Sequence, residues 1–147
     1  MEILALKLFL TEGEINGLIQ KFLPEPGAVE NLRVRLTPEG VVVQGDYPTL
    51  LVKMAFETLW EVGVAAGEVE ARLTSVKVAG LPAGMLRGVL LKVLRDVTTG
   101  EAGLEVRDET LRVNVEEVLL AKGLPVRVWL TAVRCSIGTL VIETGPR

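Results

Sequence analysis

No histidine occurs among the 147 residues of this chain. That absence excludes Ser-His-Asp and Cys-His catalysis, histidine-ligated zinc and an imidazole pH switch. A single cysteine, Cys135, excludes an internal disulfide and a thiolate metal cluster. Basic runs are missing too: the formal charge is −3 and the isoelectric point near 5.1. A duplex-binding surface draws its affinity from clustered Lys and Arg, so nucleic acid is not an expected partner. Neither G-x-G-x-x-G nor G-x-x-x-x-G-K-[ST] occurs, which leaves a nucleotide enzyme without its phosphate cradle. Aromatics make up only 4% of the chain.

What is present is aliphatic. Hydrophobic residues reach 49% and the mean hydropathy is +0.41. With so few aromatics, Val, Leu, Ile and Ala supply that apolarity, enough to bury both faces of a sheet or to line a greasy cavity. The length fits one domain, 1–147, able to bury about 68–70% of its unfolded surface. Ile3 to Leu10 is apolar but carries Lys7 and follows Glu2. It is too short for a transmembrane segment and lacks a signal-peptide layout, so the chain as it stands is expected in the cytoplasm. An envelope location is expected only if an export segment once preceded Met1.

Along the chain, residues 2–10 read as a buried strand. Thr11-Glu12-Gly13-Glu14 has capping-box spacing and opens a helix to about Leu23, with Ile15, Leu18, Ile19 and Phe22 on one face. Pro24 and Pro26 stop it. Leu32, Val34 and Leu36 alternate with Arg33, Arg35 and Thr37, the period of a half-buried strand. Thr37-Pro38-Glu39-Gly40 suits a turn into Val41 to Gln44. A longer strand is expected from Leu50 to about Val64, with Val52, Met54, Phe56, Thr58 and Trp60 on one side. Val69, Ala71 and Leu73 then give way to Val76 and Val78, a parity slip that predicts a bulge near Thr74-Ser75. Pro82 opens a second helix whose stripe is Leu86, Val89, Leu90, Val93, Leu94 and Val97. Strands follow at Leu111 to Val115 and Val126 to Leu130, with a short helix at Glu116 to Lys122 between them. A turn at Ser136 to Gly138 leads into the last strand.

The two helices share the pattern G-x-[IL]-x-G-[LV]-[IL]-x-K-[FV]-L, starting at Gly13 and at Gly84, about half the chain apart. Each follows a strand and precedes a hairpin. The expected fold class is therefore α+β: mostly antiparallel sheet packed on two amphipathic helices, a pseudo-twofold repeat of β-α-β-hairpin units, with halves near 1–72 and 73–147.

Candidate chemistry is sparse. The carboxylate pairs Glu12/Glu14, Glu68/Glu70, Asp108/Glu109 and Glu116/Glu117 fall at caps, on a solvated strand face or in turns, not in a cleft that would split their environments. Cys135 has Arg134 beside it but no base, and reads as a small hydrophobe at a strand end. Gly13, Gly17, Gly84 and Gly88 lie four apart on helix backs. They point either to close packing, within the chain or in a homo-oligomer, or to a solvent face of weak helix propensity. Trp129 shares parity with Arg127 and Thr131, either as an exposed anchor or beneath a helix; Trp60 belongs to the core.

Three stretches together resemble the LmeA-like phospholipid-binding family: Leu10-Thr11-Glu12-Gly13-Glu14-Ile15-Asn16, the pair Val34-Arg35-Leu36 to Val41-Val42-Val43, and Gly80-Leu81-Pro82 entering a Leu/Val-rich helix. The resemblance covers most of the chain. It implies a tubular lipid-binding-like fold, antiparallel sheet around a long helix, and a lipid ligand; it carries over no catalytic residue. The expected function is non-catalytic binding of an apolar or lipid-like ligand between helices and sheet. Leu86, Val89, Leu90 and Val93 would face Met54 and Phe56, without metal or cofactor. The alternative is a scaffold or self-association module with no small ligand.

Overall fold

Period-2 alternation of aliphatic and charged residues dominates the architecture. The computed structural model describes residues 1–22, 30–48, 50–78 and 83–146. Strands account for 58% and helices for 21%. In chain order the elements are β1 (Glu2–Ile3), β2 (Leu6–Thr11), α1 (Glu12–Phe22), β3 (Glu30–Thr37), β4 (Gly40–Pro48), β5 (Lys53–Ala65), β6 (Glu68–Val78), α2 (Ala83–Thr98), β7 (Leu104–Arg107), β8 (Thr110–Val113), α3 (Val115–Ala121), β9 (Arg127–Ser136) and β10 (Thr139–Gly145). A six-stranded antiparallel sheet has the order β3-β4-β5-β6-β8-β7, and a four-stranded sheet the order β1-β9-β10-β2. In the smaller sheet β1 runs parallel to β9, and the other pairs are antiparallel. The expected helix start at Pro82 and stop at Pro24 and Pro26 lie outside the described residues.

Register makes one face of the large sheet aliphatic. Val34, Val43, Thr58 and Val76 are successive cross-strand partners, as are Leu36, Val41, Trp60 and Leu73. The opposite face carries Arg33, Gln44, Glu57 and Lys77 in one such row. The bulge expected near Thr74-Ser75 is present: Leu59 faces Ser75 and Trp60 faces Leu73, so Thr74 is the extra residue. It restores the inward parity of Val76. Within the apolar face Thr58 is 2% exposed. Its hydroxyl donates to the Val43 carbonyl at 3.1 Å and accepts from Trp60 Nε1 at 2.9 Å, which removes the cost of burying it.

The two sheets are joined at both ends of β9, which crosses β3, β4, β5 and β6 and buries Val128, Leu130 and Val133. Near its start, Leu130 N–H donates to the Gly67 carbonyl at 3.3 Å. Ala66 and Gly67 both have positive φ, 50° and 76°, the pairing that two-residue hairpin turns require. At the far end Gly138, in the β9–β10 turn, donates to the Leu36 carbonyl at 3.1 Å and accepts from Glu12 N–H at 3.3 Å.

α1 begins with the expected capping box: Glu14 N–H donates to Thr11 Oγ1 at 3.2 Å, and Thr11 N–H to Glu14 Oε1 at 3.1 Å. Its attachment to the sheet is polar. The Asn16 amide donates to the Val34 carbonyl at 3.0 Å and accepts from Val34 N–H at 2.6 Å, as a neighbouring strand would. Glu12 Oε1 accepts from Leu36 N–H at 2.7 Å. Ile15 and Ile19 are half-buried and Leu18 is exposed. α2 packs through Leu91, buried in one cluster with Phe56, Leu73 and Val76, with Leu90 against it. Arg87 fixes its rotation, donating from Nε and Nη2 to the two oxygens of Glu109 at 2.8 and 2.9 Å, and from Nη2 to the Leu73 carbonyl.

The expected α+β class, one antiparallel sheet packed on two amphipathic helices, is thus overturned. The chain is mostly strand, in two sheets with three short helices, because β9 covers a large part of the apolar sheet face while α1 holds a sheet edge. The pseudo-twofold falls with it. β8 joins β6 in the large sheet, whereas β9 and β10 pair with the N-terminal strands, and the boundary near residue 72 cuts β6. Residues 2–10 are not a buried strand either: β2 is an edge, and five of its six residues are exposed.

Replacing Asn16 by Ala removes both bonds to Val34 at once. The expected loss is about 1–3 kcal/mol of unfolding free energy, the cost of orphaned backbone groups. Asn16→Asp restores the acceptor but not the donor and is expected to recover only part of it, as read from urea midpoints.

Candidate functional site

The structure gives the residues expected to line an apolar ligand site different surroundings. Phe56 is core, Leu90 packs against it, and Met54 is half-buried, paired across the ladder with Tyr47. Val89 is 37% exposed. The side chains of Leu86 and Val93 lie outside the described residues. α2 has turned so that Arg87, Leu90, Leu91, Leu94 and Thr98 face inward. The Arg87–Glu109 ion pair stands on that side, and Leu91, expected on the back face, is the most deeply inserted apolar residue described on the helix.

Two concavities lie elsewhere and are polar. One, of about 470 Å³, opens where Gly100 to Glu105 pass beneath the start of α3. Its walls carry Glu68, Glu101, Glu105 and Glu117 around Arg112. Arg112 is committed to Glu70 Oε1 at 2.7 and 2.9 Å, and Glu68 accepts from Asn114 Nδ2 at 3.0 Å. Among the described residues no group of three His, Cys, Asp or Glu is placed to hold a metal ion. The other concavity, about 30 Å³ beside Ile3 and Trp129, has the room of a single water.

Each carboxylate pair is engaged structurally. Glu12 and Glu14 hold backbone amides, Glu68 and Glu70 hold Asn114 and Arg112, Glu116 accepts from Val128 N–H at 2.7 Å, and Glu109 holds Arg87. Burial pushes the Cys135 thiol above its ordinary pKa, and Arg134 beside it is spent on Glu143 at 2.6 Å. Such a thiol is a poor nucleophile at neutral pH.

Gly17, Gly84 and Gly88 each face open space, and Gly13 meets only the Thr11 hydroxyl, at 4.0 Å. Among the described residues the glycine backs of the helices therefore do not pack on each other. The Gly67 turn lies against Trp129: a Cβ at Gly67 would stand 2.4–2.6 Å from its ring. Glycine is required there both by the contact and by the positive φ.

The feature sequence reasoning missed is the outer edge of β2. Leu6 is 46%, Leu8 42% and Phe9 57% exposed, on a strand bonded to β10 on one side alone among the described residues. Lys7 was the available signal, since a lone lysine inside an apolar run is typical of edge strands. It bridges to Glu143 at 3.5 Å and lies 5.5 Å from the Phe9 ring centroid. Among the described residues no helix is long and apolar enough to cross a membrane. Comparisons with protein-family models, with curated proteins and with solved structures found no match to the chain.

Two outcomes are expected from this geometry. Arg87 holds the Glu109 carboxyl below the usual carboxylate range. The stability from that pair is complete above the ordinary carboxylate pKa and lost as pH falls through the lowered value. Glu109→Gln is expected to flatten that acid limb in chemical denaturation at stepped pH. Gly88→Ala, entering open space mid-helix, is expected to raise stability by about 1 kcal/mol, read as a higher melting temperature.

Proposed function

We propose that this chain is a non-catalytic binding module whose working surface is the aliphatic outer edge of β2. The observation that carries the reading is the contrast between that edge and the others. The outward groups of β3 are met by Asn16, Glu12 and Gly138, and β7 is four residues long with Glu105 and Arg107 on it. Short, charged or covered edges resist pairing, and a bare apolar one invites it. Strand addition joins partners through main-chain bonds, with side-chain contacts setting the choice. The commitment of the carboxylates to backbone and arginine partners supports a role without chemistry.

A second reading is binding of a lipid-like ligand, as the LmeA-like resemblance implies. It is favoured by the exposed aliphatics, Leu4, Leu50, Leu51 and Val52 as well as Leu6 and Leu8, which suit acyl chains as well as they suit a strand. The tight seat of Leu90 and Leu91 on the Phe56 cluster speaks for the first reading.

Delipidated protein titrated with oleate and with phosphatidylglycerol vesicles separates them. The module reading expects no thermal shift and no retained lipid in native mass spectrometry. A ligand at a hundred times its Kd adds about 2.7 kcal/mol, so a saturable shift with lipid retained would replace the first reading by the second.

A further inference from the structure

We propose that the partner taken up by β2 is β2 of a second copy, paired antiparallel about a twofold axis at Leu8. This rests on the reading of the β2 edge as the working surface and names its occupant. The resulting eight-stranded sheet would run from one copy's β1 to the other's.

Hydrogen-bond accounting decides which atoms are offered. Glu12 N–H reaches the Gly138 carbonyl, and in the β2–β10 ladder Leu10 faces Leu140, Leu8 faces Ile142 and Leu6 faces Thr144. Antiparallel bonded pairs alternate, so Leu6, Leu8 and Leu10 spend their main-chain groups on β10. Those of Lys7, Phe9 and Thr11 point outward. Thr11 N–H is already used by Glu14 of the capping box. Among the described residues Lys7 and Phe9 therefore carry the complete free pairs, and a partner strand must bond to those two.

Self-pairing then has three registers to choose from. Centred on Lys7, it sets Lys7 against Lys7 of the other copy, a like-charge pair that destabilises. Centred on Phe9, it sets Lys7 against Thr11, whose amide is taken. Centred on Leu8, it sets Lys7 against Phe9 of the other copy, twice by symmetry, and each pair exchanges both main-chain bonds. The charge of Lys7 then lies beside an aromatic ring, the contact it makes within its own strand at 5.5 Å. The two Lys7 side chains are left diagonal instead of directly opposed, each 3.5 Å from its own Glu143, which also holds Arg134. On the other face Leu6, Leu8 and Leu10 meet Leu10, Leu8 and Leu6. A twofold interface must be self-complementary, and these five residues are, in charge, in shape and in bonds.

Sedimentation equilibrium of the full chain, with Phe9→Lys and Phe9→Glu, tests this. The wild type is expected to be dimeric at micromolar concentration. Phe9→Lys puts lysine against lysine and is expected to weaken the dimer roughly tenfold, two pairs at up to about 1 kcal/mol each. Phe9→Glu puts glutamate against Lys7 and is expected to hold or tighten it. Circular dichroism melts confirm that both variants fold, and amide exchange of the wild type gives a second readout, with Lys7 and Phe9 protected in the dimer. Loss of the dimer in both variants would place Phe9 against Phe9 and overturn the register. A dimer indifferent to both would lie on another surface, such as the glycine backs, and overturn the proposal. A monomeric wild type with unprotected Lys7 and Phe9 amides would also overturn it. The lipid titration above reports separately on the module reading.

Discussion

Everything in this fold leans on the outer edge of β3 being satisfied without another strand. Val34 and Leu36 present two N–H groups and two carbonyls away from β4, and all four are met: by both ends of the Asn16 amide, by Glu12, and by the Gly138 amide. Backbone groups left unmet in a half-buried place cost as much as the net gain of several good bonds. The clasp therefore sets where α1 lies, how β2 leaves it, and where the β9–β10 turn docks. It also explains why a helix with a modest apolar stripe stays folded. Its anchor is a peptide-like side chain inserted where a strand would be, so packing has less to do.

A second fixed point acts at the opposite side of the large sheet. Arg87 reaches from α2 to the Leu73 carbonyl and to Glu109 in the β7–β8 turn, while Leu73 N–H donates to the Glu109 carbonyl at 2.9 Å. One guanidinium thus ties a helix, a bulged strand and a hairpin together. Its planar fork matches the carboxylate in a way that lysine would not. Leu91 follows Arg87 by one helical turn and is carried into the core by it.

Local structure was largely legible in the sequence. The Thr11–Glu14 box, the alternation through Val34 and Leu36, the bulge at Thr74 and the short helix after Asn114 all rest on neighbours in sequence, and period, cap and turn chemistry describe neighbours well. Long-range partnership was not legible. The glycine pattern shared by the helices suggested a twofold, but the pattern reflects exposed helix backs and does not register which strands pair. The apolar letters of β2 read as burial because composition cannot tell an edge from a centre. Trp129 read as an anchor or a covered residue because the turn against it, at Gly67, lies far away in the chain. The rotation of α2 toward Leu91 depended on Glu109, which hydrophobic periodicity ignores. The candidate surface was visible in one letter only, Lys7.

The docking of Trp129 on Gly67 also bears on where this chain can be interrupted. Hairpin tips are ordinarily the places that accept inserted residues and protease cuts. Here the tip of the longest hairpin, β5–β6, is held between an indole ring and a main-chain bond to β9. The β9–β10 tip is bonded to β3 and α1, and the β7–β8 tip is gripped by Arg87. Pro38-Glu39, by contrast, projects with both residues exposed and with no such docking bond among the described residues. Turns that elsewhere drift freely in length are pinned to other elements at three places in this molecule. Pro38-Glu39 is thus a natural point of entry for tags, fusions and permuted termini.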